Sequence, residues 1–130
     1  MIYGAKESFI LVGGSTVGNL SAIYGSLDEG EKVLIQRNSH KSVYNGVVLR
    51  HLKVDYIETE CDENGIYHEV TLQQIKTSVS ESKNGKPKAI ILTSPTYEGF
   101  ICDIDAISDY CNNKKKCMEE LLLINNRREI

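Results

Sequence analysis

Short apolar runs alternate with stretches of helical periodicity along this chain, and that alternation restricts it to very few architectures. The runs are Phe9–Val12, Lys32–Arg37, Val54–Glu58 and Lys88–Ser94, each of strand length. The first helix is expected from Val17 to about Leu27, with Leu20, Ile23, Tyr24 and Leu27 at helical spacing. A second, capped by Ser39 or Ser42, is expected to run to about Leu52 and to bury Tyr44, Val47, Val48 and Leu52. Thr71 caps a third carrying Leu72, Ile75 and Val79, and Ile104, Ile107, Tyr110 and Cys111 mark a fourth. Strands and helices in this order predict an α/β domain with a mostly parallel sheet flanked by helices. Leu121–Ile124 reads either as a further strand or as part of one helix from Met118 onward; pattern leaves both open.

The first run leads into Gly13-Gly-Ser-Thr16 and then a helix. Such a turn leaves backbone N–H groups free at a helix N-terminus, where partial positive charge gathers. Gly13 and Gly14 permit close backbone approach, while Ser15 and Thr16 add hydroxyl donors, so the turn suits a phosphate. Taken alone, the same residues read as a helix-capping turn before they read as a phosphate site. In open parallel sheets ligands lie beyond the carboxyl ends of the strands. Gly14-Ser-Thr16, Ser39-His40 and Thr96-Tyr97 all fall at that edge.

A chain of 130 residues fits one domain. Its 15 basic and 18 acidic residues leave a net charge of −3, which gives no attraction to nucleic acid or to an acidic membrane. No apolar run approaches the roughly 20 residues that span a bilayer. The segment Met1 to Ser8 lacks the order of a secretory signal, so a cytoplasmic location is expected. Cys61, Cys102, Cys111 and Cys117 form no CxxC pair and have no His at zinc spacing; free thiols and no metal site are expected. His51 and His68 read as surface residues, Glu58 to Glu63 as a solvated acidic run, and Lys114–Lys116 as a solvated helix end.

In Phe9–Leu20, Val33–Ser42 with its Arg-Asn-x-His-Lys-Ser stretch, Asp62–Tyr67 and Leu92–Gly99 with Ser-Pro-Thr-Tyr-x-Gly, the chain resembles a known family. It is similar to the large, cofactor-binding domain of the bacterial-type ornithine/lysine/arginine decarboxylases, pyridoxal-phosphate enzymes of the aspartate-aminotransferase fold. The likeness covers about residues 4 to 113. It implies a partial pyridoxal-phosphate-binding domain over residues 1–116, followed by a divergent tail over 117–130. It implies that Gly14, Ser15 and Thr16 hold the cofactor phosphate, that His40 stacks on the pyridine ring, and that Thr96 lies near the phenolic side. The substrate would be lysine, ornithine or arginine, losing its α-carboxylate to leave a diamine or agmatine. The His-Lys-Ser and Pro-Thr-Tyr-Glu-Gly stretches favour this group over an aminotransferase or a glycine-cleavage-type decarboxylase of the same fold.

The family's Asp-Glu-Ala-His motif, whose Asp keeps the pyridine nitrogen protonated, is missing, and Asn125 stands where that Asp is expected. The Ser-x-His-Lys motif with the Schiff-base lysine is missing too, and Lys41 matches a family residue that is not the attachment site. No catalytic residue is therefore identified, and no turnover is expected of this chain alone. Relatives complete their sites across dimer interfaces, which implies a homo-oligomer. The competing expectation is a non-catalytic remnant that binds cofactor weakly or acts as an interaction module.

Overall fold

Lys32–Gln36 (β1), Lys53–Ile57 (β2) and Ala89–Thr93 (β3) form strands where three of the apolar runs stand, and Glu120–Ile124 (β4) adds a further one. The computed structural model describes residues 7–83 and 85–113 in full, and 120–124 in backbone. The open question at Leu121–Ile124 resolves as strand. The expectations placed on Lys114–Lys116, Cys117 and Asn125 lie outside the described residues.

All pairings are parallel, in the order β2-β1-β3-β4. Register follows Val33↔Val54 and Ile35↔Tyr56 on one side of β1, and Val33↔Ala89 and Ile35↔Ile91 on the other. Parallel strands need long crossovers, and helices supply them. Gly14–Ser26 (α1) and Lys41–Leu49 (α2) cover one face, where Ile23, Leu27, Val43 and Val47 pack on Val33, Ile35, Ala89 and Ile91. Leu72–Glu81 (α3) and Ile104–Asn113 (α4) cover the other, where Ile75, Ile107 and Cys111 meet Leu34, Ile90 and Leu92. Alternate residues of β1 and β3 thus serve opposite faces, the period-2 rule of a sheet buried on both sides. Burial pushes the thiols of Cys102 and Cys111 up from their ordinary value, so both are protonated, inert fillers.

Phe9–Val12 does not form the expected strand. It is an irregular segment, with Ile10 98% exposed. A strand exists only where its N–H and C=O groups find a neighbour, and among the described residues none pairs with this run. Helix α2 also differs in detail. Val48 is 70% exposed, while Val43 and Gly46 are buried in its place. The cause is the neighbouring helix: a Cβ on Gly46 would stand 2.6 Å from Ile23 Cδ1 and 3.4 Å from Leu20 Cδ2, so α1 crosses α2 at a glycine.

That crossing has a regular register. Asn19 bonds Ser42, Ile23 lies on Gly46, and Arg50 Nε donates to the Leu27 carbonyl, each pair 23 residues apart. A constant, same-sign offset means that α1 and α2 run parallel. Their N-termini therefore lie side by side.

Candidate cofactor site

The chain leaves β1 outward to β2 and returns on the other side of β1 to β3. Loops leaving the C-terminal ends of β1 and β3 depart to opposite faces, one into α2 and the other toward α4, which opens a crevice between them. The last paired residues on this ladder are Ile35 and Ile91. Beyond them a side chain takes over. Gln36, fully buried, accepts the Thr93 backbone N–H at 3.0 Å through Oε1 and donates to Asn38 Oδ1 at 2.7 Å through Nε2. Nothing in the sequence reading singled Gln36 out; the signal was a polar residue closing an otherwise apolar buried strand.

Helix α1 opens on this edge. Gly13 gives it no side-chain cap, and no carboxylate occupies its first turn. Gly14 has φ +71°, and nothing lies within 4 Å of where a Cβ would stand. Ser15 and Thr16 are exposed. The N–H groups of this turn have no intrahelical acceptor, so the turn retains its capacity for an anion.

Helix α2 opens beside it, and its N-cap is His40, not Ser39 or Ser42 as expected. His40 Nδ1 accepts the Ser42 backbone N–H at 3.2 Å, and Ser42 Oγ lies 2.9 Å from the same nitrogen. Ser42 Oγ in turn is 2.7 Å from Asn19 Nδ2, one helical turn along α1 from Ser15 and Thr16. The phosphate-type turn and His40 therefore share one rim. Asn19 was not anticipated. Its signal was an Asn inside a helix, where that residue is unfavourable unless its amide has a partner.

Thr96 stands on the far side of the crevice, in the loop after β3. It is buried, its Oγ1 accepts the Phe100 N–H at 3.2 Å, and its own N–H donates to the Phe100 carbonyl at 2.8 Å. The peptide between Ser94 and Pro95 in this loop is cis. Phe100 stacks on His68 with 4.6 Å between ring centres, which ties the loop to the turn after β2. Asp62 organises that turn by accepting the N–H groups of Ile66 and Asn64; these bonds, the Ile66 one foremost, hold its carboxyl below the usual value. The acidic run is thus partly structural, with Glu58 also pairing Arg37 at 3.6 Å. His51 pairs with Glu29 at 3.0 Å on the surface. Ser39 Oγ and Thr93 Oγ1 are buried at this edge without a hydrogen-bond partner.

The sequence profile of the Orn/Lys/Arg decarboxylase major domain matches residues 1–120. The chain belongs to the Orn/Lys/Arg decarboxylase family. The Bacillus subtilis protein YaaO is 37% identical over 107 residues, covering 82% of this chain and 22% of that protein. The fold is that of the Escherichia coli constitutive lysine decarboxylase, with a TM-score of 0.72 at 23% identity over 82% of this chain and 16% of that one. It is also that of a pyridoxal-phosphate-bound C–S lyase from Staphylococcus hominis, with a TM-score of 0.65 at 18% identity over 95% of this chain and 31% of that one. The chain spans less than a third of the length of each of these proteins. No helix among the described residues is long and apolar enough to cross a membrane.

Proposed function

We propose that this chain is part of a cytoplasmic, pyridoxal-phosphate-dependent decarboxylase of a basic amino acid, with residues 1–116 as a partial cofactor domain and 117–130 as a divergent tail. The observation that carries the reading is the adjacency of two helix N-termini, one opening on Gly14-Ser-Thr16 and the other capped by His40. The residues fit the group. An uncapped turn whose glycine leaves open space suits a phosphate, and an exposed imidazole tethered through Nδ1 suits a stacking ring. The buried, unpaired hydroxyl of Thr93 adds polar capacity in the crevice between them.

When bound, pyridoxal phosphate supplies an electron sink for the pair released as the α-carboxylate of lysine, ornithine or arginine leaves as carbon dioxide. The chain's own residues bind and orient. Ser15, Thr16 and the N–H groups that follow Gly14 would hold the phosphate, the Gly14 N–H itself turning back to the Leu11 carbonyl at 3.2 Å. His40 would orient the ring and Thr96 would serve its phenolic side. In this reading none of residues 1–130 serves as the covalent lysine, and the 130-residue chain by itself is expected to hold cofactor without turnover.

Titration of the purified 130-residue chain with pyridoxal phosphate, followed by absorbance, tests this. Saturable binding is expected, weakened about tenfold or more in Ser15→Ala/Thr16→Ala, as loss of two charge-assisted bonds implies. Carbon dioxide release from lysine, ornithine or arginine should stay at background. Wild-type and doubly substituted chains that bind alike would sink the phosphate assignment.

A second reading has one observation in its favour. Phe9 and Ile10 are 80% and 98% exposed, and Leu49 and Ile101 are open to water as well. A chain with that much uncovered apolar surface suits a module that pairs with itself in a homo-oligomer. Self-association without any cofactor binding would favour it.

A further inference from the structure

We infer that Asn19 and Ser42 are positioning residues for His40: together they fix its imidazole as the Nε2–H tautomer and set the ring's orientation at the rim shared by α1 and α2. As a statement about cofactor binding, the inference rests on the ring-stacking role proposed for His40; as a statement about the imidazole, it stands on the geometry alone.

One backbone group sets the polarity of the whole chain of bonds. The Ser42 N–H can only donate, and it lies 3.2 Å from His40 Nδ1, so Nδ1 is an acceptor and carries no proton. Ser42 Oγ, 2.9 Å from the same Nδ1, is then the donor in that contact. Its proton committed to His40, Ser42 Oγ has only lone pairs for its third neighbour, Asn19 Nδ2, which donates at 2.7 Å. The relay runs from the Asn19 amide through the Ser42 hydroxyl to the imidazole. In the neutral ring the remaining proton sits on Nε2, on the side away from the helix.

The relay also has a mechanical consequence. Ser42 is 1% exposed, so if His40 or Asn19 turned away a buried hydroxyl would lose a partner. His40 itself is exposed. A surface imidazole held by two donors on one nitrogen has lost most freedom about its side-chain torsions. Asn19 thereby couples the turn at Ser15 and Thr16 to the ring plane, although it is too far along α1 to belong to that turn.

The polarity argument yields a substitution that changes one atom's role and little else. Asn19→Asp keeps the shape but replaces the donor by an acceptor. The Ser42 hydroxyl then turns to the carboxylate, and its Oγ offers His40 Nδ1 a lone pair in place of a proton. Ser42→Ala removes the hydroxyl and leaves only the backbone N–H.

The test is long-range nitrogen–proton NMR of the imidazoles in the full chain at alkaline pH without cofactor, His40 being assigned by its absence in His40→Gln. Wild type should show a single Nε2–H tautomer with Nδ1 hydrogen-bonded. In both variants His40 Nδ1 keeps only the Ser42 backbone N–H as donor, so both should lose part of the Nε2–H preference. Both should move toward the mixed-tautomer values of free imidazole, Asn19→Asp further because Ser42 Oγ then turns a lone pair to Nδ1. His51 and His68 serve as internal controls and should not move. In parallel, both variants should bind pyridoxal phosphate several-fold more weakly, with an altered circular dichroism band for whatever cofactor is held. A wild-type His40 protonated on Nδ1, or one unchanged by Asn19→Asp, overturns the relay whatever the cofactor does. An intact relay in a chain that binds no cofactor upholds the relay and overturns the function proposed above.

Discussion

At the N-terminal end of the sheet Lys32 meets Asp55 at 2.7 Å and donates to the Lys83 carbonyl, while Ser82 Oγ donates to the same Asp55 at 2.7 Å. Lys88 pairs with Glu31 at 2.9 Å, and Arg50 reaches Asp28 and the Leu27 carbonyl. At the C-terminal end the charged pairs of the described residues are looser and more exposed, Arg37 with Glu58 at 3.6 Å and His68 with Asp62 at 4.0 Å. There Gln36 bridges the crevice through a neutral amide, and three of the four buried unpaired side-chain atoms of the described residues, on Ser39, Thr59 and Thr93, end a strand or lie within three residues of a strand's C-terminal end. One end satisfies its polar groups internally with full charges. The other leaves neutral hydroxyls unpaired, which suits a ligand and costs stability.

The largest test of this contrast is Gln36→Ala. It strips a buried N–H of its acceptor and leaves a cavity, so a loss of about 3 kcal/mol is expected in denaturant unfolding. The loss should be nearly the same at every pH, since no ionisable group takes part. A pH-dependent loss would mean that the crevice is wired to charged groups after all.

Lys32→Met probes the opposite end and should cost about 1 kcal/mol, discounted because Asp55 is about a third open to water. Here pH matters. Burial works against ionisation of Asp55, but hydrogen bonds from Lys32 and Ser82 and the Lys32 charge outweigh it and hold the carboxyl low. Glu31 is held low by the Asp28 backbone N–H first and by Lys88 next. Carboxyls depressed in the folded state contribute stability that is fully present above the unfolded value of about 4. That contribution fades as pH falls through the lower folded values. Wild type should therefore weaken on acidification below about pH 4, and Lys32→Met should weaken less steeply. Equal slopes would show that the staples add nothing.

The smallest effect is expected from Thr93→Val, and its sign is the informative part. Removing a buried hydroxyl with no partner should leave stability unchanged or raise it by about 1 kcal/mol, read as a higher denaturant midpoint. Cofactor affinity should fall at the same time if that hydroxyl serves the ligand. A destabilised Thr93→Val would show that the hydroxyl is satisfied within the chain.

Much of this architecture was legible in sequence because buried parallel strands and amphipathic helices write themselves as periods. Ala89–Thr93 lies wholly within an apolar run, and Thr71 with Gln74 forms the capping box that fixes the start of α3. What escaped depended on neighbours far along the chain. Phe9–Val12 has strand composition but lacks a pairing partner. The burial of α2 turned on Gly46, a residue that hydrophobic counting ignores. His40 is not among the usual N-capping residues, so its role emerged only when its Nδ1 was seen beneath the Ser42 amide. Resemblance nominated Gly14, Ser15, Thr16, His40 and Thr96 as site residues; the bonds that link Asn19, Ser42 and His40 were not legible.

Gln36 has a consequence for anyone who would remodel this protein. Backbone ladders keep neighbouring strands about 4.8 Å apart and leave no freedom to choose otherwise. Past Ile35 and Ile91 the gap is spanned by a side chain, so its width answers to a single codon: an Asn at that position is one methylene short, and a Glu would require the Asn38 amide to turn over and donate. The mouth of the crevice is thus an adjustable aperture set into an otherwise rigid frame.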